Sequence, residues 1–232
     1  MHAGALHSLV VKKVVMAITG LILIAFLVMH MFGNLKMFIG AEAYNHYAEW
    51  LKGALESGGI LEPLLPHGWF IWIFRAFMLA CLILHIYCAA KVWAASLRGR
   101  GSRYVSVTRR EQTVSARLMR WGGIALALLL IFHILMFTTK TIRPGFEASD
   151  DPYSMFVGAF GNWWVLAAYI VFMLVVCLHV RHGFWSAFTT LGGNVSPQAR
   201  TILNALAYFV AALIFVGFML PPVAVFLNLG VN

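Results

Sequence analysis

Five long apolar stretches, separated by short polar segments, dominate the chain. They run roughly over residues 12–36, 68–95, 117–139, 160–188 and 200–226. Each is long enough to cross a bilayer as an α-helix, which needs about 20 apolar residues. A helix pairs its own backbone donors and acceptors, so it can span lipid where an irregular chain cannot. The pattern predicts an all-α membrane protein, with five spans forming one bundle domain over residues 1–232.

The segments between the spans carry their own signals. Residues 40–58 are polar and amphipathic, with Tyr44, His46, Tyr47, Trp50 and Leu51 among them, which favours a short helix lying at the membrane surface. Prolines and glycines punctuate the entry to the second span and the turn between the fourth and fifth. These are Pro63, Pro66 and Gly68, and then Gly192, Gly193 and Pro197.

Composition excludes a water-soluble globule. The chain is 62% hydrophobic and only 11% charged, whereas soluble domains carry about 25% charged residues. Its formal net charge of +9 lies in short segments between apolar runs, so the partner it indicates is lipid and not nucleic acid. Cys81, Cys88 and Cys177 all fall inside apolar runs, and their spacing fits neither a disulfide framework nor a zinc site.

The lysines and arginines predict the orientation. Twelve of the 17 fall on the side of the N-terminus, which the positive-inside rule assigns to the cytoplasm. The run after Lys12 and Lys13 is longer than a signal-peptide core and ends in no small-residue cleavage site, so we expect a retained first span. The other five basic residues belong to the outer segments: Lys36, Lys52, Arg75, Lys140 and Arg143.

Four histidines lie inside spans one to four, one in each: His30, His85, His133 and His179. Titratable groups inside a bilayer are costly and usually functional. At the helical rise of 1.5 Å per residue, His30 and His133 lie about 25 Å from the inner face. His85 lies close before Lys91 and His179 close before Arg181, so both are near the inner face. The four histidines therefore sort into an outer pair and an inner pair.

Two pairs at two depths are what bis-histidine heme ligation needs. Heme iron takes axial ligands from opposite faces of the macrocycle, and neutral imidazole carries no charge into lipid. The prediction is two stacked hemes b about 15 Å apart, with iron bound by His30 and His133 in the outer site and by His85 and His179 in the inner site. A single membrane histidine is more often a hydrogen-bond partner or a proton relay, but four matched by depth favour ligation.

Neighbouring residues refine this prediction. His182 shares a helix face with His179 and is an alternative inner ligand; we place His182 and Arg181 near the propionates of the inner heme. Glycines at the levels of the hemes would give the macrocycles room, although they are equally explained by close helix packing. They are Gly20, Gly122 and Gly123 at the inner level and Gly33 at the outer level.

Several sequence segments resemble one known family. They are KKVVMAITG over residues 12–20, HMFGN over 30–34, NHY over 45–47, HVRHGFWS over 179–186 and Leu191-Gly192. They resemble the cytochrome b membrane anchor of succinate:quinone oxidoreductases, the succinate dehydrogenase and fumarate reductase family, in its single-chain, five-helix, two-heme form. The likeness extends over nearly the whole chain and places the inner ligand at His179, whereas His85 and His133 match by helix and depth alone.

The resemblance implies an activity shared with partners. The chain would anchor a flavoprotein subunit and an iron–sulfur subunit in the plasma membrane of a prokaryote, and pass electrons between the iron–sulfur clusters and a membrane quinone, menaquinone or ubiquinone. Three membrane-buried cysteines cannot hold a four-cysteine cluster, so FAD and iron–sulfur clusters are expected only in the partners. The basic segment 98–120 is a candidate dock for them, although ordinary positive-inside charge explains it as well.

A quinone site needs a proton-exchanging group near a heme. Glu62 and His67 are the candidates at the outer edge, and Ser8, His7, Arg181, His182 and Trp185 at the inner edge. Two rival interpretations remain open. One is a cytochrome b of another membrane complex, of the hydrogenase, formate dehydrogenase or cytochrome b561 type. The other is a proton-coupled transporter without heme, although spans one to four lack the interior prolines common in transporters.

Overall fold

The computed structural model describes residues 8–55, 58–62, 64–98 and 114–230, without the side chains of Arg98 and of residues 114–117. These residues form seven α-helices and a short 3-10 helix at Lys36–Ile39, and they contain no strand, which confirms the all-α prediction. The α-helices are α1 Leu9–Leu35, α2 Ala41–Lys52, α3 Trp69–Arg98, α4 Val114–Phe137, α5 Pro152–Phe160, α6 Trp163–Thr190 and α7 Pro197–Phe226.

Five of these helices are long and apolar enough to cross a membrane: α1, α3, α4, α6 and α7. Their ends lie within about three residues of the predicted spans. Large apolar side chains face outward along them, among them Leu79 on α3, Leu128 on α4 and Val171 on α6. A soluble protein would bury such surfaces, so the fold is that of a multi-pass helical membrane protein.

Polar residues fix where several helices begin. Ser196 precedes α7, and its hydroxyl accepts a hydrogen bond from the backbone N–H of Ala199 at 3.0 Å, while Pro197 occupies the first turn. Ser8 caps α1 in the same way, accepting from Val10 at 3.2 Å. Such caps satisfy backbone donors that a helix leaves unpaired at its N-terminus.

Helix α1 occupies the middle of the bundle. It packs against α3, α6 and α7, and α4 packs against α6. Within the described residues, α1 and α4 do not pack along their lengths, and neither do α3 and α6. Helices α3 and α4 likewise lack extended packing in the described residues. We call α1–α4 and α3–α6 the two diagonals of a four-helix arrangement, because the histidines of each combination face one another. Helix α7 lies outside it and approaches α1 so closely that a Cβ on Gly217 would clash with the sulfur of Met31.

Helices α2 and α5 close one end of the bundle, which we call the capped end. Asn45 on α2 joins them: its amide nitrogen donates to Asp151 Oδ1 at 2.7 Å, and its carbonyl oxygen accepts from the backbone N–H of Tyr153 at 3.0 Å. Tyr44 packs on Tyr153 and Phe156, and burial raises its pKa to about 12. The predicted surface helix in residues 40–58 is present as α2.

Helix α5 was not predicted. The apolar pattern predicted a fourth span from about residue 160 and no helix directly before it. The structure places a separate nine-residue helix there, capped by Asp151 through Ser154 N–H at 3.1 Å and ended at Gly161. A helix this short has few turns in which to reveal a period, and its apolar residues run into those of α6.

Candidate functional site

The structure brings His30 and His133 together across one diagonal. Their ring centres lie 6.0 Å apart, with the ring planes at 86°. Phe26 stacks on His30 at 5.5 Å, and Phe218 of α7 lies 5.7 Å from it. These apolar contacts hold the imidazole in one orientation. His30 and His133 form the predicted outer pair, and they lie toward the capped end.

The structure brings His85 and His179 together across the other diagonal. Their ring centres lie 6.3 Å apart, with the planes at 62°. Of the two candidates on α6, it is thus His179 that faces His85, whereas the ring of His182 lies 6.4 Å from Trp185. His85 and His179 form the predicted inner pair.

Spacings along α1 and α4 give the separation of the two levels. Gly20 lies against His85, and Gly123 lies against His179. Each glycine is ten residues before the histidine of its own helix, His30 or His133. Ten residues of α-helix rise about 15 Å, so the inner and outer pairs lie about that far apart along the bundle, as the depth argument predicted.

The hydrogen-bond partners of His85 Nδ1 indicate the tautomer of this histidine. Its Nδ1 lies 3.1 Å from the carbonyl oxygen of Met16 and 3.3 Å from the hydroxyl of Thr19. That hydroxyl already donates to the carbonyl of Val15 at 2.7 Å. Since a carbonyl can only accept, Nδ1 carries the proton, and Nε2 is left with a lone pair. This is the form in which histidine binds a metal, with the other nitrogen held by a neighbour.

The other histidines have different surroundings. His133 Nδ1 lies 3.0 Å from the hydroxyl of Tyr169, which orients the ring from α6. His179 Nδ1 is buried and has no hydrogen-bond partner in the described part of the chain. Buried polar atoms are rarely left unpaired; ligation through Nε2, as for His85, would leave this Nδ1 still without a partner, in contrast to the Nδ1 atoms of His85 and His133.

The distances within each pair fit two imidazoles on one metal. An imidazole nitrogen binds a metal at about 2 Å, and the ring centre lies roughly 1 Å behind it, so two opposed rings have centres about 6 Å apart. No group of three or more His, Cys, Asp or Glu side chains in the described residues could hold a bare metal ion. Heme is one group that needs only two imidazoles from the protein, because the macrocycle supplies the other ligands to its iron.

The glycines give the inner pair room. A Cβ on Gly20 would lie 3.1 Å from His85 Cε1, tighter than ordinary contact, and one on Gly123 would lie 3.8 Å from His179 Cε1. A cavity of about 240 Å³ between α4 and α6 is lined by Gly122, Ala125 and His179. No residue of α1 or α3 lines this cavity, so it lies beside His179 and not between the two imidazoles of the inner pair. Gly33 lies against Tyr47 instead of the outer pair.

The remaining predicted site residues lie apart from the pairs. Arg181 points to α7, donating to Asn204 Oδ1 at 2.7 Å and lying 4.4 Å from the ring centre of Tyr208. Glu62 and His67 meet each other, with Oε1 and Nδ1 2.9 Å apart, before the start of α3. Ser8 is exposed and serves as the cap of α1. His7 and most of the basic segment 98–120 lie outside the described residues.

Sequence reasoning missed the residues that hold the rings. Met16, Thr19 and Tyr169 were not singled out, although each contacts a histidine of a pair. A signal existed for Tyr169: it lies ten residues before His179 on α6, the same step that separates the two levels on α1 and α4. No comparable signal marks a backbone carbonyl such as that of Met16.

The fold and the site together define a class: a multi-pass helical membrane protein that holds two histidine pairs at two levels of its bundle. Comparisons with family models, curated proteins and solved structures found no match to the chain. A narrower function has to be argued from its own residues.

Proposed function

We propose that the chain is the diheme cytochrome b anchor of a succinate:quinone oxidoreductase. In this proposal, His30 and His133 bind one heme b and His85 and His179 bind the other, with the N-terminus in the cytoplasm of a prokaryote. Partner flavoprotein and iron–sulfur subunits carry the dicarboxylate chemistry. The single observation that carries the proposal is the pairing of the four histidines across the two diagonals at 6.0 and 6.3 Å.

In this proposal, the chain's own residues bind the hemes, orient the imidazole rings and keep water away from them. Met16 and Thr19 fix the His85 tautomer, and Tyr169 holds His133 from the side. Phe26 and Phe218 keep water away from His30. Heme b, when bound, supplies reversible one-electron transfer at two levels about 15 Å apart. The contact between Glu62 and His67 offers a proton-exchanging group at the capped end, where a quinone would need one.

The resemblance of the sequence segments is the reason for proposing this enzyme family, and the two histidine pairs are the reason for proposing two hemes. A cytochrome b of another membrane complex would share the hemes and differ in its partners. A proton-coupled transporter would use the intramembrane histidines as relays, but all eight acidic residues lie outside the five candidate spans, so the spans hold no carboxylate to exchange protons with them. Paired imidazoles without carboxylates favour metal ligation over a relay.

A pyridine hemochrome assay on the purified protein tests the proposal. We expect about two hemes per unmodified chain and about one in each of His30→Ala, His85→Ala, His133→Ala and His179→Ala, because each change removes one axial ligand. His46→Ala is the matched control, since His46 is exposed on α2, and it should retain both hemes. Undiminished heme in all four variants would overturn the ligand assignment.

A second measurement is needed to identify the partner subunits. Purification of the anchor from its native membrane, under mild detergent, should recover a subunit with covalently bound flavin and succinate-oxidising or fumarate-reducing activity. A hydrogenase or formate dehydrogenase subunit in its place would retain the heme assignment and refute the family.

A further inference from the structure

A second cavity, of about 330 Å³, lies at the capped end. Its lining includes three basic side chains from separate elements: Lys52 at the end of α2, Arg75 on α3 and Lys140 after α4. Thr138 and Ser149 add polar atoms, and Asp150 is the only acid in the lining. A concave site with several cations and few anions favours a negatively charged ligand.

The cations are poorly neutralised within the described residues. The guanidinium of Arg75 lies 5.0 Å from the ring centre of Trp72, and it has no carboxylate partner there. Lys140 pairs with Asp150 at 3.1 Å and also donates to the carbonyl of Ser149. Since Asp150 is fully exposed, the cavity keeps an excess of positive charge beside a membrane-spanning bundle.

Lys140 is held in the cavity wall at a conformational cost. Its φ of +57° lies in the left-handed region, which side chains other than glycine and asparagine seldom adopt. Even so, its side chain is only 27% exposed and ties the end of α4 to the loop before α5. The fold thus maintains a cation in this wall, although a relaxed turn would let the side chain reach solvent.

The cavity borders the outer histidine pair. Phe137, in its lining, lies 5.5 Å from the ring of His133. Arg75 is ten residues before His85, so it lies about 15 Å along α3 from the inner level, which is the level of the outer pair. Besides Asp150 in the lining, carboxylates at the edge of a cofactor held by His30 and His133 would come within reach of this place.

We propose that this cavity binds the propionate carboxylates of the outer heme, with Arg75 and Lys140 as the principal partners and Lys52 adding charge. The inference rests on the proposed function. Arginine matches a carboxylate with two parallel hydrogen bonds. A carboxylate at the membrane edge without such a partner would be costly. The assignment differs from the sequence expectation, which placed basic partners only at the inner heme.

Redox titration of the two hemes in the purified complex tests the proposal. Reduction removes one positive charge from the iron site, so a nearby cation favours the reduced state. Arg75→Gln and Lys140→Gln should each lower the midpoint potential of one heme and leave the other unchanged, and Arg75→Lys should restore it. Arg143→Gln is the matched control, because Arg143 pairs with Glu147 at 3.7 Å and lies outside the cavity lining.

The other outcomes separate this proposal from the function on which it rests. Unmodified protein without heme overturns both. Two hemes whose potentials stay unchanged in Arg75→Gln and Lys140→Gln overturn only the propionate site. An anionic phospholipid that copurifies with the unmodified chain but not with Arg75→Gln, with both potentials unchanged, identifies a lipid headgroup as the occupant and also overturns it. Loss of one heme in Arg75→Gln, reversed in Arg75→Lys, supports it.

Discussion

Tyr169 is the side chain through which α6 reaches the outer pair. Its hydroxyl lies 3.0 Å from His133 Nδ1, and its ring packs against Phe160 and Phe172. Packing of this kind fixes the position of the hydroxyl. A ligand histidine bound through Nε2 carries its proton on Nδ1, so the hydroxyl oxygen of Tyr169 would be the acceptor.

We predict that Tyr169→Phe raises the midpoint potential of one heme and keeps heme content near two per chain. Loss of the acceptor makes the His133 ring a weaker electron donor to its metal, which favours the reduced state. Redox titration followed by visible absorbance measures this. Tyr87→Phe is a suitable control, since Tyr87 is 52% exposed on α3. A potential that is unchanged, or changed equally in both variants, would contradict a tuning role for Tyr169.

Among elements, α1 and α4 share one design. Each carries a glycine ten residues before its histidine, and each glycine faces the histidine of the opposite pair. Each of these helices thus supplies a histidine at one level and a glycine, which takes little space, at the other. This arrangement lets two diagonals cross the same bundle without any helix blocking the site to which it does not contribute.

We predict that Gly20→Val abolishes the inner heme and leaves the outer one. Even a Cβ at this position would lie 3.1 Å from His85 Cε1, and the larger side chain would push the ring from its place on Met16. Hemochrome content should fall from about two to about one. Ala25→Val on the outward face of α1 adds comparable bulk without a buried neighbour. It should retain both hemes, and equal losses in the two variants would refute the explanation.

The sequence predicts long elements well and short contacts poorly. The ends of the five spans lie close to their predicted positions because about 20 apolar residues give a strong signal. The pairing of His30 with His133 and of His85 with His179 followed from depth alone, because a helix has a constant rise. Helix α5 and the cation cavity were missed, since both depend on which loops meet at the capped end. The tautomer of His85 depends on a backbone carbonyl, which no residue type marks.

For the whole molecule, the ends of the bundle differ in construction. The capped end carries α2 and α5 and the hydrogen bonds of Asn45, whereas α6 and α7 are joined at the opposite end by a turn containing Val195, which is 85% exposed. The positive-inside argument assigns the turn to the cytoplasm and the capped end to the outer face.

We predict that Ala148→Cys, in the loop before α5, reacts with a membrane-impermeant maleimide in intact cells. Val195→Cys should react only after the membrane is opened, because the proposed topology places this turn on the cytoplasmic side. The three native cysteines are buried or half-buried and should add little background. The unmodified chain provides that baseline. The reverse labelling pattern would invert the topology and exchange the sides of the two histidine pairs.

The diagonal arrangement also determines the order in which the two histidine pairs are assembled during synthesis. The ribosome delivers helices in chain order, so α1 and α3 each enter the bilayer with an unmatched histidine. Arrival of α4 completes the His30–His133 couple, while His85 has to wait for α6, whose histidine lies 46 residues beyond His133. In the proposed topology, the nascent chain therefore assembles the histidine pair on the far side of the membrane first and the pair on the ribosome side last.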